Sequence, residues 1–201
     1  MYSIDWEEQW RLHARNFKGD GFVHLDFPAK NIKLAPGPGF GDLSHPTTRL
    51  MLQVMEPRVA GKQIVDIGCG SGVLTLSSIG MGASSAIGID IELDAVVHAQ
   101  KNSLLNNLEN KISFYHSDNY FVPNHWANCI VMNMITSEQK IAWKHYIDIF
   151  RDARELIVSG ILVAEKEKYL LEVGQKGWRL SDSLEEGEWC AIHLLALQAS
   201  Q

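Results

Sequence analysis

The strand-like run Val65-Asp66-Ile67 leads straight into Gly68-Cys69-Gly70-Ser71-Gly72, and a second apolar run, Ala86-Ile87-Gly88-Ile89, ends in Asp90. Glycines at such a turn let a ligand approach the backbone at the carboxyl end of a strand, where open α/β sheets bind ligands. A carboxylate at the end of the next strand, about twenty residues on, can accept hydrogen bonds from both hydroxyls of a ribose, so adenosine is implied. Two details narrow the ligand. The dinucleotide pattern G-x-G-x-x-G requires glycine at position 73, which is Val73. Asp66, two residues before the first glycine, offers nothing to a pyrophosphate but favours a ligand with an ammonium and a sulfonium. S-adenosyl-L-methionine is such a ligand. Its expected contacts are Asp66, Gly68, Cys69, Gly70, Gly72, Asp90 and Ile91, with Cys69 a small packing residue and not a nucleophile. A third run ends in His116-Ser117-Asp118-Asn119, where Asp118 or Asn119 meets the adenine edge, or where Asp118 only caps a turn.

Methyl transfer from a sulfonium is an in-line displacement, so a protein chiefly has to align a neutral amine and strip water from it. Hydrogen-bond acceptors that hold the amine N–H groups matter more than a strong base. Asn133 ends the run Cys129-Ile130-Val131-Met132, and its amide oxygen and the carbonyl of Met134 can do this. Both are catalytic candidates, with Asn133 also near the cofactor; the plain alternative is an asparagine in a strand-end turn. His45, beside Pro46, is either a proton acceptor or a residue that orders its loop. Thr47 and Thr48 cap the following helix, with or without touching the cofactor. The other histidines are dispersed, and Cys69, Cys129 and Cys190 have no CxxC or histidine-spaced partners, so neither a metal nor a disulfide framework is expected.

These residues need a scaffold. From Lys62 onward, QIVDI, SGVLTLSSIG, SSAIGID, ELDAVVHAQKNSLLNN, KISFYHS and ANCIVMNM alternate short β-branched runs with helical stretches. That pattern predicts an α/β fold, a doubly wound, mostly parallel sheet with helices on both faces. A helix over 138–155, a strand in ELIVSGILVA, a helix over 165–176 and two strands from Trp178 to Leu197 meeting near Glu185-Glu186-Gly187 complete it. Ahead of it, residues 4–17 read as a helix on something apolar, with Trp6 and Trp10 as packing residues. Strand-like pieces at Phe22 to Phe27 and Ile32 to Ala35 follow, then the shaped loop Pro36-Gly37-Pro38-Gly39-Phe40-Gly41-Asp42 and a helix from Pro46 to near Pro57. Residues 1–45 are thus a front segment with a cofactor-covering loop, and 46–201 the cofactor-binding domain.

With 201 residues and a formal net charge of −6, the chain suits one catalytic-size unit and sets up no field for nucleic acid phosphates. General nucleic-acid binding is not expected. No apolar run approaches the roughly 18 residues that span a bilayer, so no membrane role is expected and a cytoplasmic setting is. Nothing sets the oligomeric state.

The chain also resembles the ribosomal protein L11 methyltransferase family. The similarity runs from Asp5-Trp6-Glu7-Glu8-Gln9-Trp10 through Pro36-Gly37-Pro38-Gly39-Phe40-Gly41 and His45-Pro46-Thr47-Thr48 to Ser159-Gly160-Ile161-Leu162 and Gly187-Glu188-Trp189. The resemblance implies a Rossmann-like class I methyltransferase with an antiparallel C-terminal strand. It implies methylation of amino nitrogens on a protein, L11 or another basic target, a loop of His45, Thr47 and Thr48 closing over the cofactor, and Asn133 facing the substrate. Two departures stand out. The family's recruiting domain, expected ahead of Asp5, has no counterpart here, so a target would dock directly on the catalytic surface. Where the family loop reads Phe-Gly-Thr-Gly-x-His, this chain has Phe40-Gly41-Asp42-Leu43-Ser44-His45. These departures keep open a cofactor-binding regulatory or partner protein without catalysis, and methylation of another protein or a small amine.

Overall fold

A computed structural model describes residues 4–197. Helix α1 (Trp6–His13) starts where the Asp5 side chain accepts the Glu8 backbone N–H at 3.0 Å, and Trp10 is its one buried residue. It is shorter than the expected 4–17. Ile4 and Leu12 are exposed, so little apolar surface holds a longer helix, and Ala14 is extended and Asn16 left-handed at φ 62°. Phe17 instead bridges to Val23. Strands β1 (Val23–Leu25) and β2 (Ile32–Leu34) pair antiparallel, and α2 (Pro46–Met55) follows with proline in its first turn.

The main sheet is built from β3 (Gln63–Ile67), β4 (Ser85–Asp90), β5 (Ile112–His116), β6 (Cys129–Asn133), β7 (Glu155–Leu162), β8 (Trp178–Glu186) and β9 (Trp189–Ala196). Its order is β5-β4-β3-β6-β7-β9-β8, with β9 antiparallel to both its neighbours and β3 to β7 mutually parallel. Helices α3 (Val73–Gly80) and α4 (Leu93–Leu105) make crossovers on one side of β3, and α5 (Thr136–His145), α6 (Ile147–Asp152) and α7 (Lys166–Gly174) on the other. This is the expected Rossmann-like fold with an antiparallel C-terminal strand. Strands buried on both faces read as unbroken apolar runs, and β6 is one: Cys129 and Val131 join the core with Leu50, Leu76 and Phe114, while Ile130 and Met132 join Trp143 and Phe150 on the opposite face. Trp10, Val23, Leu25, Ile32 and Leu34 belong to the first of these clusters, so the front segment shares the sheet's core.

The helix expected over 138–155 is two helices and the start of a strand. Tyr146, at φ −105° and ψ 30°, breaks it because its ring is buried edge-on against Tyr120 with centroids 5.1 Å apart. Glu155 belongs to β7, where the His193 imidazole at 2.9 Å and the Lys62 ammonium hold its carboxyl down at about 2. Among the described residues no helix is long and apolar enough to cross a membrane.

Candidate functional site

Strand order reverses between β3 and β6: the chain steps outward from β3 to β4 and β5, then returns to β6 on the other side of β3, and crevices at such switch points are where doubly wound sheets bind ligands. A cleft of about 820 Å³ lies there. Gly68, Gly70, Asp90 and Ile91 line it. Gly68 and Gly70 sit at φ 76° and 56°, a left-handed backbone that only glycine adopts freely. Asp90 fixes the turn from the neighbouring strand: its Oδ2 accepts the Gly70 N–H at 2.8 Å and its Oδ1 the Glu92 N–H at 3.0 Å.

Other sequence-predicted contacts lie outside the cleft lining. Gly72 is the N-cap of α3 and packs against Ala99, Leu76 and Phe114. Cys69 is buried, and burial raises its thiol well above the usual range. Asp118 is exposed beside His116, and Ser117 lines the cleft in its stead, with Asn119 outside. Asp66 is 1 % exposed; its Oδ2 accepts the Thr75 hydroxyl at 2.6 Å and its Oδ1 has no partner.

Burial lifts the Asp66 carboxyl to about 7, with the Thr75 hydrogen bond opposing and Asp90 adding to the rise. An unfolded aspartate ionises near 3.9, so from about pH 4 to pH 7 the unfolded chain releases this proton first and stability falls as pH rises. The shift corresponds to on the order of 4 kcal/mol. Asp66→Asn removes the titration and keeps an acceptor for Thr75, while an unpartnered amide nitrogen takes back about 1–3 kcal/mol. Urea unfolding of the cofactor-free protein should show the variant gaining on the parent across this window and ending about 1–3 kcal/mol ahead at pH 8. A parallel pH profile for the two would rule out a buried, titrating Asp66.

The glycine-rich loop before α2 rests on the turn. The Ser71 N–H donates to the Phe40 carbonyl at 2.9 Å, and a Cβ on Gly39 or Gly70 would meet the facing backbone at 2.5 or 2.6 Å. A ladder on α4 fastens the loop from behind. His98 accepts the Gly39 N–H at 3.1 Å and holds the Ala35 carbonyl, Asn102 takes the Ala35 N–H and donates to the Ser71 carbonyl, and Asn106 takes the Lys33 N–H. Leu43 adopts φ 67° and is buried to 3 % exposure. Left-handed backbone costs a leucine about 1–2 kcal/mol, yet emptying its place costs about 2–5 kcal/mol. Leu43→Gly should therefore lose a net of about 2 kcal/mol, within about 0–4 kcal/mol, in thermal unfolding; a variant more stable than the parent would mean that strain outweighs packing.

Beside the turn, on the adjacent strand β6, stand the acceptor-side candidates. Asn133 and Met134 line it at the end of β6, and the Asn133 Nδ2 donates to the Thr48 hydroxyl at 3.4 Å. Thr48 is buried outside the lining, so it acts on Asn133. The Met134 carbonyl accepts from the Gln139 amide at 2.8 Å. His45 caps α2: its Nδ1 lies 2.8 Å from the Thr47 hydroxyl and accepts the Thr47 N–H at 3.4 Å. Its ring stands edge-on to Phe40 and Trp189, and burial followed by Arg49 lowers its pKa, which favours the neutral imidazole. That geometry orders the loop. His45, Thr47 and Trp189 all line the cleft.

The ribosomal protein L11 methyltransferase (PrmA) family model matches residues 25–196. The chain belongs to this family. It is 32% identical over 197 residues to the ribosomal protein L11 methyltransferase of Mannheimia succiniciproducens, covering 94% of this chain and 67% of that protein. It is 37% identical over 170 residues to that of Prochlorococcus marinus, covering 81% of this chain and 56% of that protein. The chain therefore spans between about half and two thirds of these relatives. In fold it is similar to the ribosomal protein L11 methylase of Lactobacillus delbrueckii subsp. bulgaricus, with TM-score 0.68, 22% identity and coverage of 83% of this chain and 86% of that one. It is also similar to Streptococcus pneumoniae Sp1610 in complex with S-adenosyl-L-methionine, with TM-score 0.62, 17% identity and coverage of 75% and 73%.

S-adenosylmethionine is the family's cofactor, and the residues present fit it. The backbone at Gly68 and Gly70 is bare toward the cleft, the Asp90 carboxylate is pinned beside it, and Asp66 Oδ1 is a buried acceptor without a partner next to the turn. Sequence reasoning missed much of the cleft's lining. Glu138, Ile141, Ala142 and His145 line it from α5 at i, i+3, i+4 and i+7, a helical face legible in hindsight from its spacing. Phe40, Gly160 and Trp189 stand in family-specific motifs but had no role without the fold.

Proposed function

We propose that this chain is an S-adenosylmethionine-dependent methyltransferase acting on amino nitrogens of a protein, ribosomal protein L11 or a similar basic target, in a cytoplasmic setting. The observation that carries it is the meeting of three strand ends in one cleft: the glycine turn after β3, Asp90 at the end of β4, and Asn133, its amide nitrogen held by Thr48, at the end of β6. Bound S-adenosylmethionine supplies an electrophilic methyl group on a sulfonium. Gly68, Gly70 and Asp90 hold and orient it, with Asp66 the acceptor nearest in sequence to the turn.

The chain's work on the acceptor is alignment and desolvation. With Nδ2 committed to Thr48, the Asn133 Oδ1 accepts an N–H of the incoming amine and turns its lone pair toward the methyl group. Apolar Ile135, Ile141 and Trp189 line the same cleft; the two isoleucines are exposed, so a docked target covers them and excludes water, which favours the neutral amine that attack requires. The net charge of −6 suits a basic protein better than a nucleic acid.

Incubation with purified L11 and labelled S-adenosylmethionine, followed by mass spectrometry, tests the reading. Label on L11 amino groups is the expected result. Cofactor binding without transfer to L11 or to any component of a cell extract would overturn it in favour of a binding protein, and label on another protein or amine would replace the target.

A further inference from the structure

Gln139 sits on α5, fully buried, one layer behind the acceptor wall. Its Nε2 donates to the Met134 carbonyl at 2.8 Å and to the Ser159 carbonyl at 3.0 Å, and its Oε1 accepts the Tyr169 hydroxyl at 2.6 Å. Two carbonyl partners fix which end of the amide is nitrogen, so Tyr169 is the donor in the third bond. The place is crowded. Gly160, at φ 80°, lies so near the Met134 carbonyl that a Cβ there would stand 2.2 Å from its oxygen. The register of β7 on β9 shifts between Val158 and Ile161, and the Ser159 carbonyl within that gap is the one Gln139 takes.

We infer that Gln139, itself oriented by Tyr169, is a positioning residue that sets the place of the wall Asn133-Met134-Ile135 against which the methyl acceptor is aligned. The inference rests on the methyltransferase reading above. Asn133 ends β6, and the chain leaves the strand through Met134, so a clamp on the Met134 carbonyl sets the direction of both. Without the amide, the buried Ser159 carbonyl and the part-buried Met134 carbonyl each lose a donor, and the wall shifts toward other partners. In-line transfer tolerates little of that, since a misplacement of about 1 Å can cost about 100-fold in rate. The cofactor cradle lies on β3 and β4 and shares no hydrogen bond with Gln139. Loss of the clamp should therefore separate turnover from cofactor affinity.

The experiment compares the full chain with Gln139→Met, which keeps the length of the side chain, and Tyr169→Phe, which leaves both Gln139 N–H bonds in place. Val173→Ala, a buried truncation on α7, serves as the stability control. Gln139→Met should lower kcat with purified L11 by about 10- to 100-fold. Its calorimetric Kd for S-adenosylmethionine should stay within about threefold, while amide hydrogen exchange over 134–138 quickens and that over 68–72 does not. Tyr169→Phe should show a smaller shift of the same kind, and Val173→Ala a lower Tm with kcat retained. A kcat within twofold of the parent in Gln139→Met, a parallel fall in cofactor affinity, or an equal kcat loss in the control would overturn the inference. If the parent itself does not methylate L11, the methyltransferase reading is what fails, and unchanged exchange over 134–138 still overturns the clamp. If Gln139→Met does not fold, Tyr169→Phe decides, and the absence of any change in its exchange or kcat refutes the role.

Discussion

Replacing Asn133 with alanine should lower kcat by about 100-fold, the usual scale for a hydrogen-bonding group that acts in the transition state, while cofactor affinity changes little. Asn133 lines the cleft from the end of β6, beside the glycine turn on β3, and its link to the buried Thr48 fixes the plane of its amide. Alanine there removes the acceptor for the amine without touching Gly68, Gly70 or Asp90. Steady-state methylation of L11 paired with calorimetry of cofactor binding separates the two effects. Turnover unchanged, or affinity lost in step with turnover, would take Asn133 off the acceptor side. Thr48→Val offers a graded check, since it leaves the asparagine in place but frees its rotation.

Asp90→Ala should weaken S-adenosylmethionine binding by about 10- to 150-fold, the equivalent of about 1.5–3 kcal/mol for a charged acceptor. The carboxylate receives the N–H groups of Gly70 and Glu92, so its loss removes a ribose acceptor and also loosens the turn that carries the ligand. Asp90→Asn should fall between, because one oxygen still accepts. Calorimetry at fixed pH and salt measures both, and an affinity in Asp90→Ala equal to that of the parent would exclude Asp90 from the site.

The parts of this molecule that read clearly from sequence are those where local chemistry and global fold ask for the same residue. At the glycine turn, the backbone conformation at Gly68 and Gly70 and the ligand's approach both demand glycine, and Asp90 announces itself by ending a strand. The reading failed where a partner distant in sequence decides. Residues 138–155 have continuous helical composition, yet Tyr146 is drawn into a cluster with Tyr120, and Glu155 is claimed for a strand by Lys62 and His193. Asp66 has the same residue type and neighbourhood whether it faces a ligand or the interior, and only the Thr75 hydroxyl and its burial tell the two apart. Gln139 looks like any polar residue on an amphipathic helix until β7 presents a carbonyl to it.

Strand β9 follows every other strand of the sheet in sequence, yet it lies inside the sheet between β7 and β8. Synthesis runs from the amino end, so the cofactor turn emerges early while the edge of β7 waits for a strand that has not yet been made. The loop at the cleft waits as well. Its His45 meets Trp189, and Arg49, whose guanidinium binds the Leu43 and Ser44 carbonyls, reaches Glu186, 137 residues further on. Contacts so far apart in sequence close slowly. A nascent chain therefore carries a recognisable cofactor turn well before it owns a finished cleft, which is complete only once the β8–β9 hairpin has left the ribosome.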